Sequence, residues 1–328
     1  MKHANISIFV PHIGCPHRCS FCDQRTISGT QKAPSGDDVR EICAKALNEV
    51  KSPENTEIAF FGGSFTAIPQ KYMLELLTSA GEFIGDGKFK GIRISTRPDY
   101  ITPEILDILR KYSVTAIELG AQSMVNHVLE ANERGHTAED VYRASDLIKS
   151  YGFELGLQMM VGLYKSSVYD ELGTMEKIIE IHPDTVRIYP VVILKNTKLG
   201  ELYKSGKYRT FSFEQVVNMT SSAVNEFERN GIRVIKCGLH ASEFVEKDMV
   251  GGFYHPAFRE ICEGLIYRKN MEYHINGTDK NYIFAVNPSC ISKAVGQKKS
   301  NIEYFIKQGI EIKIIGDKNV AKYEVELR

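Results

Sequence analysis

Seven short β-like runs, most of them followed by a stretch of helical period, constrain the fold of this chain more than any other feature. The runs are Ile6–Val10, Glu57–Phe61, Ile92–Ser95, Ala116–Leu119, Glu154–Met160, Val186–Val192 and Ile232–Ile235. Between them lie Asp37–Val50, Lys71–Phe83, Pro103–Tyr112, Ala138–Tyr151, Tyr169–Ile181 and Phe213–Arg229, which carry the apolar spacing of helices. Strands alternating with helices in this way predict parallel strands joined by right-handed crossovers, an α/β fold of the partial (β/α)6 TIM-barrel type. After residue 240 the alternation stops. Helix-like stretches at Phe258–Tyr267 and Asn301–Gln308 mix with strand-like runs at Asn281–Val286, Glu311–Ile315 and Lys322–Leu327. We therefore expect a barrel over 1–240 and a small α+β cap over 241–328, set across its open side or mouth.

In such barrels the chemistry sits where the strands end. The first run leads into Cys15-Pro16-His17-Arg18-Cys19-Ser20-Phe21-Cys22, three thiols within eight residues. Three thiolates can hold three irons of a [4Fe–4S] cube and leave the fourth iron open. A zinc site completed by His12 or His17 is the competing reading. Disulfides would need an oxidising compartment, which nothing here suggests.

The later strand ends carry unusual residues in turn. Gly62-Gly63-Ser64-Phe65 allows a tight turn and close backbone approach to a ligand, although any strand-to-helix turn favours such glycines. Gln122 follows the fourth run, and Arg134 lies beyond it. They offer an amide and a cation to a carboxylate or ribose. Gln158 is a polar residue in an apolar run and must find a partner, either a ribose hydroxyl or a neighbouring backbone group. Tyr189 lies within the sixth run, as a substrate-side group or a packed rim residue. Cys43, Cys262 and Cys290 lack metal-ligand spacing and read as core residues. Cys237, at the end of the last run, either packs or faces the cavity.

Lys+Arg and Asp+Glu both number 41, so nucleic acid could be bound only through a local basic patch. No apolar run is long enough to span a bilayer, and the N-terminus lacks the regions of a signal peptide. A cytoplasmic location is expected, which also suits seven reduced cysteines.

The C-x3-C-x2-C array after one strand resembles the radical S-adenosylmethionine (SAM) superfamily. That resemblance implies a [4Fe–4S] cluster on Cys15, Cys19 and Cys22, with SAM on the open iron cleaved to a 5′-deoxyadenosyl radical. It implies that Gly62 and Gly63, with Ser64, seat the cofactor's amino group, and that Gln122, Arg134 and Gln158 line the rest of the cofactor pocket. An electron donor such as flavodoxin or ferredoxin follows from the same chemistry.

A narrower likeness rests on Gly62-Gly63-Ser64-Phe65, Thr96-Arg97-Pro98-Asp99-Tyr100, Glu118 to Ser123, Arg134-Gly135-His136-Thr137, Arg187-Ile188-Tyr189-Pro190 and the run from Lys195 to Tyr208. Together these resemble the radical domain of the Elongator catalytic subunit family, which modifies the wobble uridine of tRNA using SAM and acetyl-CoA. The gap between the first two cysteines is shorter here than in that subunit. Over the 328 residues the family's acetyltransferase domain is expected to be absent. Radical SAM chemistry on tRNA is the reading this favours. A small-molecule or protein substrate, or a non-catalytic metal-dependent RNA-binding module, are the alternatives. In the C-terminal segment Lys293, Lys298 and Lys299 are candidates for phosphate contacts, and a solvated loop explains them equally well.

Overall fold

The computed structural model describes residues 4–10, 15, 19–23, 26, 32–239, 243–277 and 279–328. The elements of the first part are β1 (Ala4–Val10), α1 (Gly36–Glu49), β2 (Thr56–Gly62), α2 (Gln70–Gly81), β3 (Gly91–Thr96), α3 (Pro103–Lys111) and β4 (Val114–Gln122). Next come α4 (Asn126–Ala131), α5 (Ala138–Ser150), β5 (Glu154–Val161), α6 (Val168–Ile181), β6 (Thr185–Pro190), β7 (Val192–Leu194), α7 (Lys198–Lys204), α8 (Phe213–Arg229) and β8 (Arg233–Cys237). Their starts are written locally. Ser35, Thr137, Ser167 and Ser212 each cap a helix and close a capping box with Asp38, Asp140, Asp170 and Gln215, which satisfies backbone N–H groups that the first turn leaves open.

Strands β1 to β6 and β8 form one parallel sheet in the order β1-β2-β3-β4-β5-β6-β8. Each strand lies beside the next in sequence, so the sheet curls as an open partial barrel with its helices outside. The run Val186–Val192 does not continue as one strand. Pro190 lacks the N–H that would extend the ladder, and β7 leaves the barrel to pair antiparallel with β9 (Met249–Gly252), which follows α9 (Glu243–Asp248).

Helix α10 (Phe258–His274) packs on α8 and on the β8 edge, where the Phe258 ring sits against Gly238. Beyond it lie β10 (Asn281–Val286), α11 (Ile291–Val295), α12 (Ser300–Ile306), β11 (Glu311–Gly316) and β12 (Glu326–Leu327), with the strands in a sheet of order β11-β10-β12. The strand expected over Lys322–Leu327 shrinks to its last two residues. Tyr323 takes a left-handed turn, φ 67°, and buries its ring so that its hydroxyl donates to Glu263 at 2.6 Å. One hydrophobic cluster joins barrel and C-terminal segment, from Ile8 through Phe258 to Val325. Among the described residues no helix is long and apolar enough to cross a membrane.

Inside the barrel a chain of charges runs across the strands. The Arg93 guanidinium, wholly buried, donates to Glu57 at 2.7 Å and Glu154 at 2.6 Å, with Glu118 at 3.4 Å. Arg187 grips Glu118 with two hydrogen bonds of 2.7 and 2.9 Å. A buried charge must be met by an opposite one, and the parallel register supplies the partners from neighbouring strands.

Candidate functional site

A cavity of about 270 Å³ opens at the C-terminal ends of the strands. Cys15, Cys19, Cys22, Gly62, Gly63, Ser64, Gln122, Arg134, Gln158 and Tyr189 all line it. They come from the loop after β1, from β2, β4, β5 and β6 toward their C-terminal ends and, for Arg134, from the turn between α4 and α5, and the parallel sheet brings the strand ends to one face.

The backbone sets the details. At Gly62 φ is +114°, and a Cβ there would lie 2.8 Å from the Val10 carbonyl oxygen, so β1 and β2 approach closely only because glycine stands there. The Gly63 N–H donates to that same carbonyl at 2.9 Å. The Ser64 hydroxyl bonds Thr96 Oγ1 at 2.8 Å and accepts from the Arg97 N–H at 3.2 Å, tying the ends of β2 and β3. Gln122, the last residue of β4, holds φ +69°, an uncommon value for a residue with a side chain. It is 8% exposed, and its carbonyl Oε1 has no hydrogen-bond partner. Arg134 donates to Cys19 Sγ at 2.9 Å and to the Gly120 carbonyl at 2.5 Å, leaving Nε buried and unpaired. A buried polar group without a partner is costly, so both side chains are poised for a ligand.

Burial is the main force pushing the Cys15 thiol up, and the Ser64 backbone N–H pulls it back. Cys22 is pushed up further, by burial first and then by Cys19 and Cys15. A bound cation beside Cys15 and Cys22 would offset what burial costs their thiolates. Among the described residues no three His, Cys, Asp or Glu side chains converge as ligands of a single ion. His12 and His17, the alternative zinc ligands, lie outside the described residues.

His136 stands behind this wall. Burial, then Arg134 and Arg97, lower its pKa to about 3, so the ring is neutral. Its Nε2 lies 3.3 Å from the Ala121 carbonyl oxygen, which assigns the proton to that nitrogen.

Within the chain Gln158 is met by side chains of other strands rather than by a neighbouring backbone group. Its amide donates to the side chains of Ser95 at 3.1 Å and Glu118 at 3.0 Å. Tyr189 is half-buried on the inner wall and bonds Arg187, which lies over the Phe61 ring at 4.9 Å. Lys293, Lys298 and Lys299 do not line the cavity. Lys293 is engaged by the buried Glu263 at 2.8 Å, and the other two occupy left-handed backbone positions between α11 and α12. Cys43, Cys237, Cys262 and Cys290 are buried in the core.

Several residues in the wall or directly behind it carried no assigned role in the sequence. Glu118 and Arg187 are charges inside apolar strands, and that pattern signals a buried pair. Val192, Leu194, Leu239 and Val245 close the cavity from β7 and from the segments after β8. Nothing in their spacing marks them, because the contact depends on where β7 turns.

The sequence matches the Radical SAM superfamily over residues 9–177 and the Radical_SAM C-terminal domain over 183–268. It is 25% identical over 260 residues to a tRNA uridine(34) acetyltransferase of Methanocaldococcus infernus, covering 67% of this chain and 49% of that protein. It is 28% identical over 190 residues to Elongator complex protein 3 of Saccharomyces cerevisiae, covering 52% and 34%. The chain thus spans about half the length, or less, of these curated relatives. Its fold is like that of the Methanocaldococcus infernus Elp3, with a TM-score of 0.58 at 21% identity over 75% of this chain and 62% of the other. With more than half its length matched, the chain belongs to the Radical SAM superfamily and is an enzyme whose cofactors are a [4Fe–4S] cluster and S-adenosylmethionine.

Proposed function

We propose that this protein cleaves SAM reductively and directs the resulting radical to a uridine of tRNA. The observation that carries the first half is the meeting of three thiols, a glycine turn and two unpaired polar groups on one cavity. This donor set fits the cofactors. Cys15, Cys19 and Cys22 would each hold one iron, whose charge offsets what burial costs their thiolates. Gly62, Gly63 and Ser64 would receive the amino group of SAM. Gln122 Oε1 and Arg134 Nε would take its polar atoms, and Gln158 would complete the pocket. When bound, the cluster supplies the electron that breaks a carbon–sulfur bond of SAM.

The chain's own part is orientation and exclusion of water. Val192, Leu194, Leu239 and Val245 form the apolar wall, and Arg187 holds Tyr189 at the substrate side. Residues 1–240 form the radical barrel and 241–328 a cap beside it, working in the cytoplasm with a flavodoxin- or ferredoxin-like donor. The RNA half is supported by the names of the relatives; acetyl transfer is assigned to no residue here.

Nucleoside mass spectrometry of tRNA from cells with and without the protein tests the substrate. The expected result is the loss of one modified uridine, and an unchanged profile would overturn the tRNA reading. For the pocket, Gln122→Ala is expected to raise the SAM concentration for half-maximal 5′-deoxyadenosine formation about five- to tenfold, the worth of one hydrogen bond of about 1–1.5 kcal/mol. Unchanged saturation would remove Gln122 from SAM binding.

A further inference from the structure

A second concavity, of about 250 Å³, lies on the same face of the barrel. Its walls are the loop 162–166, which leaves β5, and the segment 207–211, which leads into α8. The Tyr208 hydroxyl donates to the Gly162 carbonyl and ties the two together. Three of the lining residues, Lys165, Lys207 and Arg209, are cations, and none is acidic. Of the carboxylates close in the chain, Glu171 is buried and accepts from the Gly162 N–H and the Ser166 hydroxyl, both at 2.8 Å, Asp170 accepts from the Ser167 N–H at 2.8 Å, and Glu214 is exposed in the first turn of α8.

Arg209 is distinctive. Every other described arginine meets a carboxylate, a sulfur, a carbonyl or an aromatic ring, whereas Arg209 has no such contact. The Lys207 side chain is likewise exposed and unpaired, and Lys165 touches only its neighbour, the Tyr164 ring. Tyr169, near the start of α6, presents an aromatic face that is 84% exposed. Leu163 and Tyr208 pack with Phe21 in one cluster flanked by Cys19 and Cys22, so this concavity and the cysteine loop share a wall.

Cations gathered with no acidic residue among the lining create a local positive potential, and the exposed ring of Tyr169, four residues along the chain from Lys165, suits an unstacked base. With 41 cationic and 41 acidic residues in the chain, a nucleic acid has to be held by such a patch. We propose that Lys165, Lys207 and Arg209 bind the phosphate backbone of the RNA strand whose target nucleoside enters the cavity, with Tyr169 stacking on a flanking base. This rests on the tRNA reading above.

The test is binding of labelled bulk tRNA to the reconstituted protein, followed by fluorescence anisotropy over a range of salt. The triple variant K165A/K207A/R209A is expected to bind on the order of a hundredfold more weakly near 0.1 M salt. The slope of log affinity against log salt should be shallower by about two. Its circular dichroism, its iron content and its 5′-deoxyadenosine formation without RNA should match the unaltered protein. A variant that binds with the same affinity and slope overturns this proposal alone. If the unaltered protein does not bind tRNA, both this surface and the tRNA reading fall.

Discussion

Replacing Cys15, Cys19 or Cys22 singly by alanine is expected to reduce 5′-deoxyadenosine formation to background in anaerobically reconstituted protein, with iron bound per chain falling in parallel. Each thiol lines the cavity, and none belongs to the main hydrophobic cluster, so the loss is chemical rather than structural. Two thiolates cannot anchor a cube that uses three to fix its orientation. The secondary structure should be unchanged by circular dichroism. Cys43→Ala is the matching control. Cys43 is fully buried in the core, so this change should lower stability by about 1 kcal/mol and leave iron content intact. Turnover retained in any of the three cavity variants would refute the ligand assignment.

Glu118→Ala is expected to be the most destabilising single change, by about 3–5 kcal/mol in urea unfolding. Glu118 is 1% exposed and accepts two hydrogen bonds from Arg187 and one from Gln158, with Arg93 at 3.4 Å. Its removal takes from Arg187, a buried cation, the carboxylate that balances its charge, while Arg93 keeps Glu57 and Glu154. A loss this large is a sizeable part of the ~5–15 kcal/mol that holds a typical protein folded. A loss under about 1 kcal/mol, the range of an exposed pair, would show that Arg187 is solvated instead.

The same pair predicts a pH dependence. Burial alone would raise the Glu118 pKa, and the two arginines with Gln158 outweigh it, so the carboxyl titrates below the usual carboxylate range in the folded state. A carboxylate with a lowered folded pKa contributes stability above its unfolded pKa and loses it as pH falls through the folded value. Unfolding of the unaltered protein should therefore steepen toward acid relative to E118Q. Parallel curves for the two proteins would remove Glu118 from the acid transition.

Much of this architecture was legible before any coordinates. The helix expected at Phe213–Arg229 has those bounds, and the one expected at Ala138–Tyr151 ends a residue earlier, at Ser150. Capping residues and apolar period are local, and tertiary packing had no reason to override them. Cys15, Gly62 and Gln122 could be singled out because parallel strands must present their ends on one face. Two strand expectations failed for backbone reasons that short-range patterns do not carry, at Pro190 and at Tyr323. The acceptors of Gln158 are the side chains of Ser95 and Glu118, on two other strands, and no window of sequence around position 158 contains either.

The amino-acid sequence by itself determined the alternation of strand and helix, the thiol triplet and the glycine turn, because each depends on residues within one or two turns of chain. Only the tertiary structure decided which charges pair inside the barrel, which polar atoms are left unmatched in the cavity, and that β7 and the segments after β8 close over it. Those outcomes depend on register and on strand pairing between residues far apart in sequence, where the free energy of burying a polar atom is set by whatever the fold places beside it.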